Sequence, residues 1–148
     1  ALGHHFDDVI ETILMNMFYS GTIETMMPKL HSRNFAGMEL IRPLYHVKEA
    51  DIIAWKDYHQ LTFLQCACRF TEMYADQPSD LGGFKRKEMK ALIGQLRETS
   101  PLIDANIFQS VQSVNLEKII SYRNRDGRHH FLEKYADGAE RPRPDMVE

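Results

Sequence analysis

From Asp8 onward apolar residues recur at helical spacing. Val9, Ile10, Ile13, Leu14, Met17 and Phe18 fall on one face. Asp8 with Glu11 three residues later predicts a capping-box start, and Ser20-Gly21 predicts the stop. Thr22 to Gly37 has little periodicity and reads as a loop of basic character, with Pro28, Lys29, His31 and Arg33. "MELIRPL" predicts a short buried strand ending at Pro43, and "KEADIIAWKDYHQ" a helix whose apolar side is Ile52, Ile53 and Trp55. "LTFLQC" predicts a short strand leading to Cys66. Asp76 to Gly83 reads as a loop. Lys85 to Glu98 is a charged helix with Met89, Leu92, Ile93 and Leu96 on one face. A further helix runs from Pro101 through Ile107, Phe108, Val111 and Val114, and "NLEKIISY" predicts a third short one. After Tyr122 the chain turns polar and reads as a flexible tail.

Helices alternating with short strands predict an α/β architecture. Ala1-Leu2-Gly3 is too short for a strand but can be the end of one. The order fits the later part of a doubly wound fold lacking its first strands, followed by a mainly helical C-terminal region. The chain is thus expected to start mid-domain, with divisions at 1–75, 76–122 and 123–148.

Composition narrows the class without naming it. With 43% hydrophobic and 26% charged residues, 148 residues suit one soluble globular domain or part of a larger one. A formal net charge of −3 does not announce a nucleic-acid binder, although local basic patches remain open. No apolar run is long enough to cross a membrane. Two cysteines with no visible secretory signal argue against a disulfide scaffold and for a cytoplasmic setting.

Candidate chemistry concentrates in "GHHFDD". His4, His5, Asp7 and Asp8 stand where a strand end meets a helix N-terminus, a place that attracts phosphate and where carboxylates hold Mg²⁺. The same residues also read as a helix cap with solvent-facing histidines. Arg42 before Pro43 suits a phosphate or carboxylate, or a structural ion pair. Lys29, His31 and Arg33 form one basic cluster and Lys85, Arg86, Lys87 and Lys90 another; either is an RNA backbone contact or a solvated face. Cys66 and Cys68 are thiol ligands or small buried hydrophobes. Trp55 and Phe63 are expected in the core rather than as base-stacking platforms.

"LGHHFDDVIETILMNMFYSGTIETMMPKL" resembles the PP-loop ATP pyrophosphatase superfamily, and more narrowly the tRNA 2-thiocytidine synthetases of the TtcA type. Those enzymes read Leu-Gly-His-His-x-Asp-Asp-x-x-Glu-Thr, then Asn-Met-Phe-Tyr, then a Pro-Lys-Leu stretch. Here Asn16-Met17-Phe18-Tyr19 and Pro28-Lys29-Leu30 follow in the same order, and "IRPLYHVKEADI" and "ANIFQSVQSV" match later segments. The likeness covers roughly residues 1–122, most strongly 1–53. Two family elements are not in this chain: the Ser-Gly-Gly-x-Asp-Ser nucleotide loop and the first Cys-x-x-Cys pair. Where the family has Cys-x-x-Cys-Gly, this chain has Cys66-Ala67-Cys68-Arg69.

The resemblance implies an adenine nucleotide alpha hydrolase-like fold and ATP-dependent thiolation of a cytidine in the tRNA anticodon loop. ATP with Mg²⁺ would adenylate the C2 oxygen of the base, and sulfur from a donor system, carried by an iron–sulfur cluster, would replace it. Asp7 and Asp8 would be catalytic and hold Mg²⁺, with Glu11 ordering the helix start. His4, His5 and Arg42 would bind the nucleotide, Cys66 would be a cluster ligand, and Lys29, Arg33, Lys85 and Arg86 would contact tRNA. The chain by itself would be catalytically incompetent. Two rivals stay open. One is a lysidine synthetase-like PP-loop enzyme, which needs no cluster. The other is a non-catalytic RNA-binding or self-associating module, whose uncovered sheet edge favours a homodimer.

Overall fold

The computed structural model describes residues 1–32, 34–63 and 81–136. Tertiary contacts divide the chain into two compact units, Ala1–Gln112 and Ser113–Glu148. The helices after residue 80 pack on the first helix.

Helix α1 spans Phe6–Met15 and begins two residues before the predicted start. The capping box is His5/Asp8 rather than Asp8/Glu11. The Asp8 amide donates to His5 Nδ1 at 3.4 Å, and the His5 amide donates to Asp8 Oδ2 at 3.0 Å. After Met15 the chain widens into a π-helical turn, Asn16–Ser20, and stops at Gly21, whose φ of 64° is left-handed. That extra residue per turn rotates Met17 and Phe18 off the buried face, so both are exposed.

Strand β1, Lys29–His31, lies in the segment expected to be loop. It pairs antiparallel with β2, Glu39–Ile41, with Leu30 opposite Leu40. Strand β2 is largely exposed rather than buried, since only Leu40 is half-covered. The Leu2 amide donates to the Ile41 carbonyl at 2.9 Å, so the N-terminal residues run beside β2. No parallel pair occurs among the described residues.

Helix α2 is Glu49–Tyr58 and buries no residue. Trp55 and Phe63 are 56% and 64% exposed, which overturns their assignment to the core. Leu61–Phe63 carry no regular structure, and the rest of the expected "LTFLQC" strand lies outside the described residues, as does most of the expected 76–83 loop. Helix α3, Leu81–Thr99, begins inside that expected loop; α4 is Ile103–Gln112.

Helices α3 and α4 pack against α1 and enclose the core of the first unit. Val9, Ile10 and Ile13 of α1 are fully buried, and each is worth about 1.5–3 kcal/mol of transfer free energy. Met89 and Ile93 of α3, Ile107 of α4 and Tyr45 complete the core. The Phe108 ring meets the Phe6 ring edge-on at 5.2 Å.

The second unit differs from the predicted short helix and tail. Of the helix expected over "NLEKIISY", Leu116–Lys118 alone is helical, as a single 3₁₀ turn. An antiparallel hairpin follows, β3 Ser121–Asn124 and β4 Gly127–His130, and then helix α5, Phe131–Ala136.

Candidate functional site

The start of α1 carries four potential acid–base groups, and the fold treats them differently. Asp7 points inward and is nearly buried. Its Oδ2 accepts the Glu49 amide at 2.7 Å, at the first turn of α2. Its Oδ1 accepts Arg97 of α3 at 2.6 Å. Arg97 also donates to Asp104 of α4 at 2.8 Å, and Lys48 pairs with Asp104 at 3.2 Å. One carboxylate thus ties α1 to α2 and α3, and Arg97 carries the link to α4. Burial pushes the Asp7 carboxyl upward, but the Glu49 amide and the Arg97 guanidinium outweigh it and hold the group below the ordinary 3.8.

Asp8 sits on the more open side. Its Oδ1 accepts Arg86 of α3 at 3.1 Å, and its Oδ2 lies 3.4 Å from His5 Nε2. Glu11, one turn on, is buried, and burial raises its pKa above the usual 4.5 against the opposing Arg86 charge 4.0 Å away. Lys90 donates to both Glu49 oxygens, at 2.7 and 2.9 Å, which raises its own pKa. Acids of α1 and α2 therefore face three cations of α3, Arg86, Lys90 and Arg97. A shallow open cleft of about 400 Å³ lies beside this network, between Lys48, Glu49, Ile53, Arg97 and Asp104.

The predicted site residues divide accordingly. His4 and Arg42 come together, with Arg42 Nε donating to His4 Nδ1 at 3.3 Å, and Arg42 also donates to the Met27 carbonyl. His5, Asp7 and Asp8 share the α1 start. Lys29 pairs with Glu39 at 2.8 Å on the exposed hairpin. Lys85 lies 4.6 Å above the Tyr19 ring, a cation–π contact. Arg86 belongs to the acidic site itself rather than to a separate basic face. Arg33, Cys66 and Cys68 lie outside the described residues. Sequence reasoning missed Glu49, Lys90, Arg97 and Asp104 as partners of this site. They lie up to 97 positions from Asp7, and no local pattern marks them.

Both Asp7 oxygens are occupied by donors, so Asp7 does not fit an Mg²⁺ ligand as it stands. Both Asp8 oxygens also accept donors, from Arg86 and the His5 amide, but its side chain is the more exposed of the two, 17% against 9%, which makes Asp8 the better candidate. A single carboxylate suffices where nucleotide phosphates and water complete the Mg²⁺ shell. Among the described residues no group of three or more His, Cys, Asp or Glu is placed to hold a metal ion by itself.

Comparison with known proteins identifies the frame around these residues. Residues 1–74, half the chain, match the family model described as the PP-loop domain. The chain belongs to the PP-loop family. That membership implies an α/β fold of the adenine nucleotide alpha hydrolase-like type. The chain is also similar to proteins named tRNA-cytidine(32) 2-sulfurtransferase. One from Syntrophotalea carbinolica is 34% identical over 126 residues, 85% of this chain and 45% of the relative. One from Burkholderia multivorans is 37% identical over 114 residues, 77% of this chain and 31% of the relative. One from Burkholderia vietnamiensis is 34% identical over 147 residues, 99% of this chain and 40% of the relative. The chain spans less than half the length of these relatives. No solved structure matches it significantly. No described helix is long and apolar enough to cross a membrane.

Proposed function

We propose that this PP-loop chain supplies part of an ATP-dependent enzyme that thiolates a cytidine in tRNA. The observation that carries the proposal is the similarity to the tRNA-cytidine(32) 2-sulfurtransferases, which runs through the α1 start and across most of the chain. The reaction needs an activated base, because an amide-like carbonyl oxygen is a poor leaving group. ATP would adenylate the C2 oxygen, AMP would leave with it, and sulfur would take its place. The base is reached in a single-stranded anticodon loop, where it can be splayed out.

In this reading the chain's own residues do three things. His5 and Asp8 fix the first turn of α1 through their reciprocal hydrogen bonds, so the helix N-terminus is presented rigidly to a phosphate. Asp8 is the residue that would hold Mg²⁺, in exchange for Arg86, or polarise the reacting base. Asp7 keeps α1, α2 and α3 in register and takes no part in bond making. Arg42, with His4, borders the same end and offers a guanidinium to a phosphate. Mg²⁺, where bound, would neutralise charge developing on the phosphates. Cys66 is the proposed cluster ligand, with the sulfur donor and tRNA as partners in a cytoplasmic setting.

The test is nucleoside mass spectrometry of total tRNA from cells deleted for the gene encoding this chain. The expected result is loss of 2-thiocytidine and its return on complementation. Unchanged 2-thiocytidine with loss of lysidine would replace this reading by the lysidine synthetase one. No change in either nucleoside would leave the non-catalytic module.

A further inference from the structure

The hairpin of the second unit carries three arginines against a single aspartate within ten residues, in a chain whose net charge is −3. Its register places Arg123 directly opposite Arg128 and Tyr122 directly opposite His129. Side chains alternate between faces along a strand, so these pairs lie on opposite faces of the ribbon. One face is engaged by contacts within the unit. The Tyr122 and His129 rings stack at 4.8 Å and 22°, His129 Nε2 lies 3.1 Å from Asn124 Oδ1, and His129 Nδ1 lies 3.4 Å from Glu133 of α5. The tip is fixed as well. Asn124 Oδ1 accepts the Asp126 amide at 2.8 Å and the Gly127 amide at 3.2 Å, and Gly127 holds a φ of 135°, which suits glycine.

The other face is left open. Arg123, Arg125 and Arg128 are exposed, and none forms an ion pair with another described residue. The one carboxylate at the tip, Asp126, is 3.3 Å from the Asn124 amide nitrogen rather than beside a guanidinium. Like charges directly across a ladder destabilise a hairpin unless something anionic lies between them. Two guanidiniums at strand-pair spacing, with a third at the tip, match a run of phosphates better than a single carboxylate. Each offers a planar fork that grips phosphate oxygens with two parallel hydrogen bonds.

We propose that the Arg123–Arg125–Arg128 face of the hairpin is a clip for the phosphate backbone of an RNA strand. The inference rests on the reading that this chain acts on tRNA. It adds a contact surface that the polar sequence of this segment had assigned to a tail. It also relocates the RNA-binding charge. Of the clusters singled out in sequence, Arg86 is engaged with Asp8 and Lys29 with Glu39, whereas the hairpin arginines have no acidic partner among the described residues.

The test is fluorescence anisotropy of an unmodified tRNA transcript titrated with the full chain from 50 to 200 mM salt. Substituting Arg123, Arg125 and Arg128 together by Ser should weaken binding at least tenfold at the low-salt end, and the slope of log affinity against log salt should fall by about 2. The triple Lys variant keeps the charges and should retain most of that slope, so a misfolded Ser variant does not decide the matter. Tight binding unaffected by the Ser substitutions would overturn the clip and leave the tRNA reading standing. Equal loss in the Lys and Ser variants would also overturn it, since a structural role would then explain the effect. A wild-type chain that binds no tRNA, but binds an acidic protein through these arginines, would overturn both the clip and an RNA role for this chain.

Discussion

Replacing Asp7 by Asn separates its two roles, because the amide keeps the shape of the carboxylate and removes its charge. The asparagine oxygen can still accept from the Glu49 amide, now 2.7 Å from the carboxylate. Its NH₂ group then faces the Arg97 guanidinium, so a donor meets a donor where a 2.6 Å charged hydrogen bond stood. Losing one hydrogen bond between charged partners costs about 1.5–3 kcal/mol. Arg97 keeps Asp104, and its side chain is 41% exposed, so water compensates part of the loss. The expected cost is therefore about 2 kcal/mol, or a fall in Tm of roughly 8 °C for a unit of this size. The pH dependence carries the same signature. Because the folded state holds Asp7 below 3.8, the unfolded chain binds its proton more readily, and the carboxylate's contribution is complete above 3.8. It disappears as pH falls through the lowered folded pKa. Thermal unfolding followed by circular dichroism between pH 3 and pH 7 reads both effects. Asp7→Asn should lose its 2 kcal/mol at neutral pH and converge with the wild type in acid. Equal Tm values at neutral pH would refute the structural role and return Asp7 to the reacting centre.

Other outcomes follow from the same geometry. Ile10→Ala, at a fully buried position, should destabilise the first unit by about 2–5 kcal/mol in urea titration. Gly21→Ala forces a side chain into a φ of 64° and should cost about 1 kcal/mol with no loss of packing, since nothing lies near its added methyl group. Arg86→Met removes the charge that opposes the raised pKa of Glu11, so carboxyl NMR should show Glu11 titrating higher still. In the wild type Glu11 binds protons more readily when folded than unfolded, so its contribution lowers stability as pH rises above 4.5.

How much of this was legible depends on how local the cause is. The apolar face of α1 was readable because Val9, Ile10, Ile13 and Leu14 lie within two turns and all pack inward. The π-helical turn was not, because Met17 and Phe18 continue the same spacing and only the backbone shows that they rotate outward. Strand β1 went unseen because Lys29–His31 is a short exposed segment without alternation. The hairpin at 121–130 looked like tail because its ladder is made by arginines and histidines rather than by β-branched residues. Its signal was Asp126-Gly127 between two aromatic positions, a turn dipeptide that the surrounding charge obscured. At the site, the GHHFDD motif marked the start of α1, where the structure brings His5, Asp7 and Asp8 together. The division of labour between Asp7 and Asp8 was invisible, because it is set by Glu49, Arg86 and Arg97, which only the fold brings within hydrogen-bonding distance.

The most direct test of the central claim is complementation of the deletion strain with an Asp8→Asn variant, read as 2-thiocytidine in tRNA by mass spectrometry. Asp8 is the outward carboxylate, and the asparagine oxygen can still accept from the His5 amide, so the variant should fold. The account predicts normal protein levels with 2-thiocytidine reduced at least a hundredfold, on the scale of a lost general-acid or electrostatic group. Wild-type 2-thiocytidine in cells carrying only Asp8→Asn would contradict it and leave the start of α1 as a helix cap.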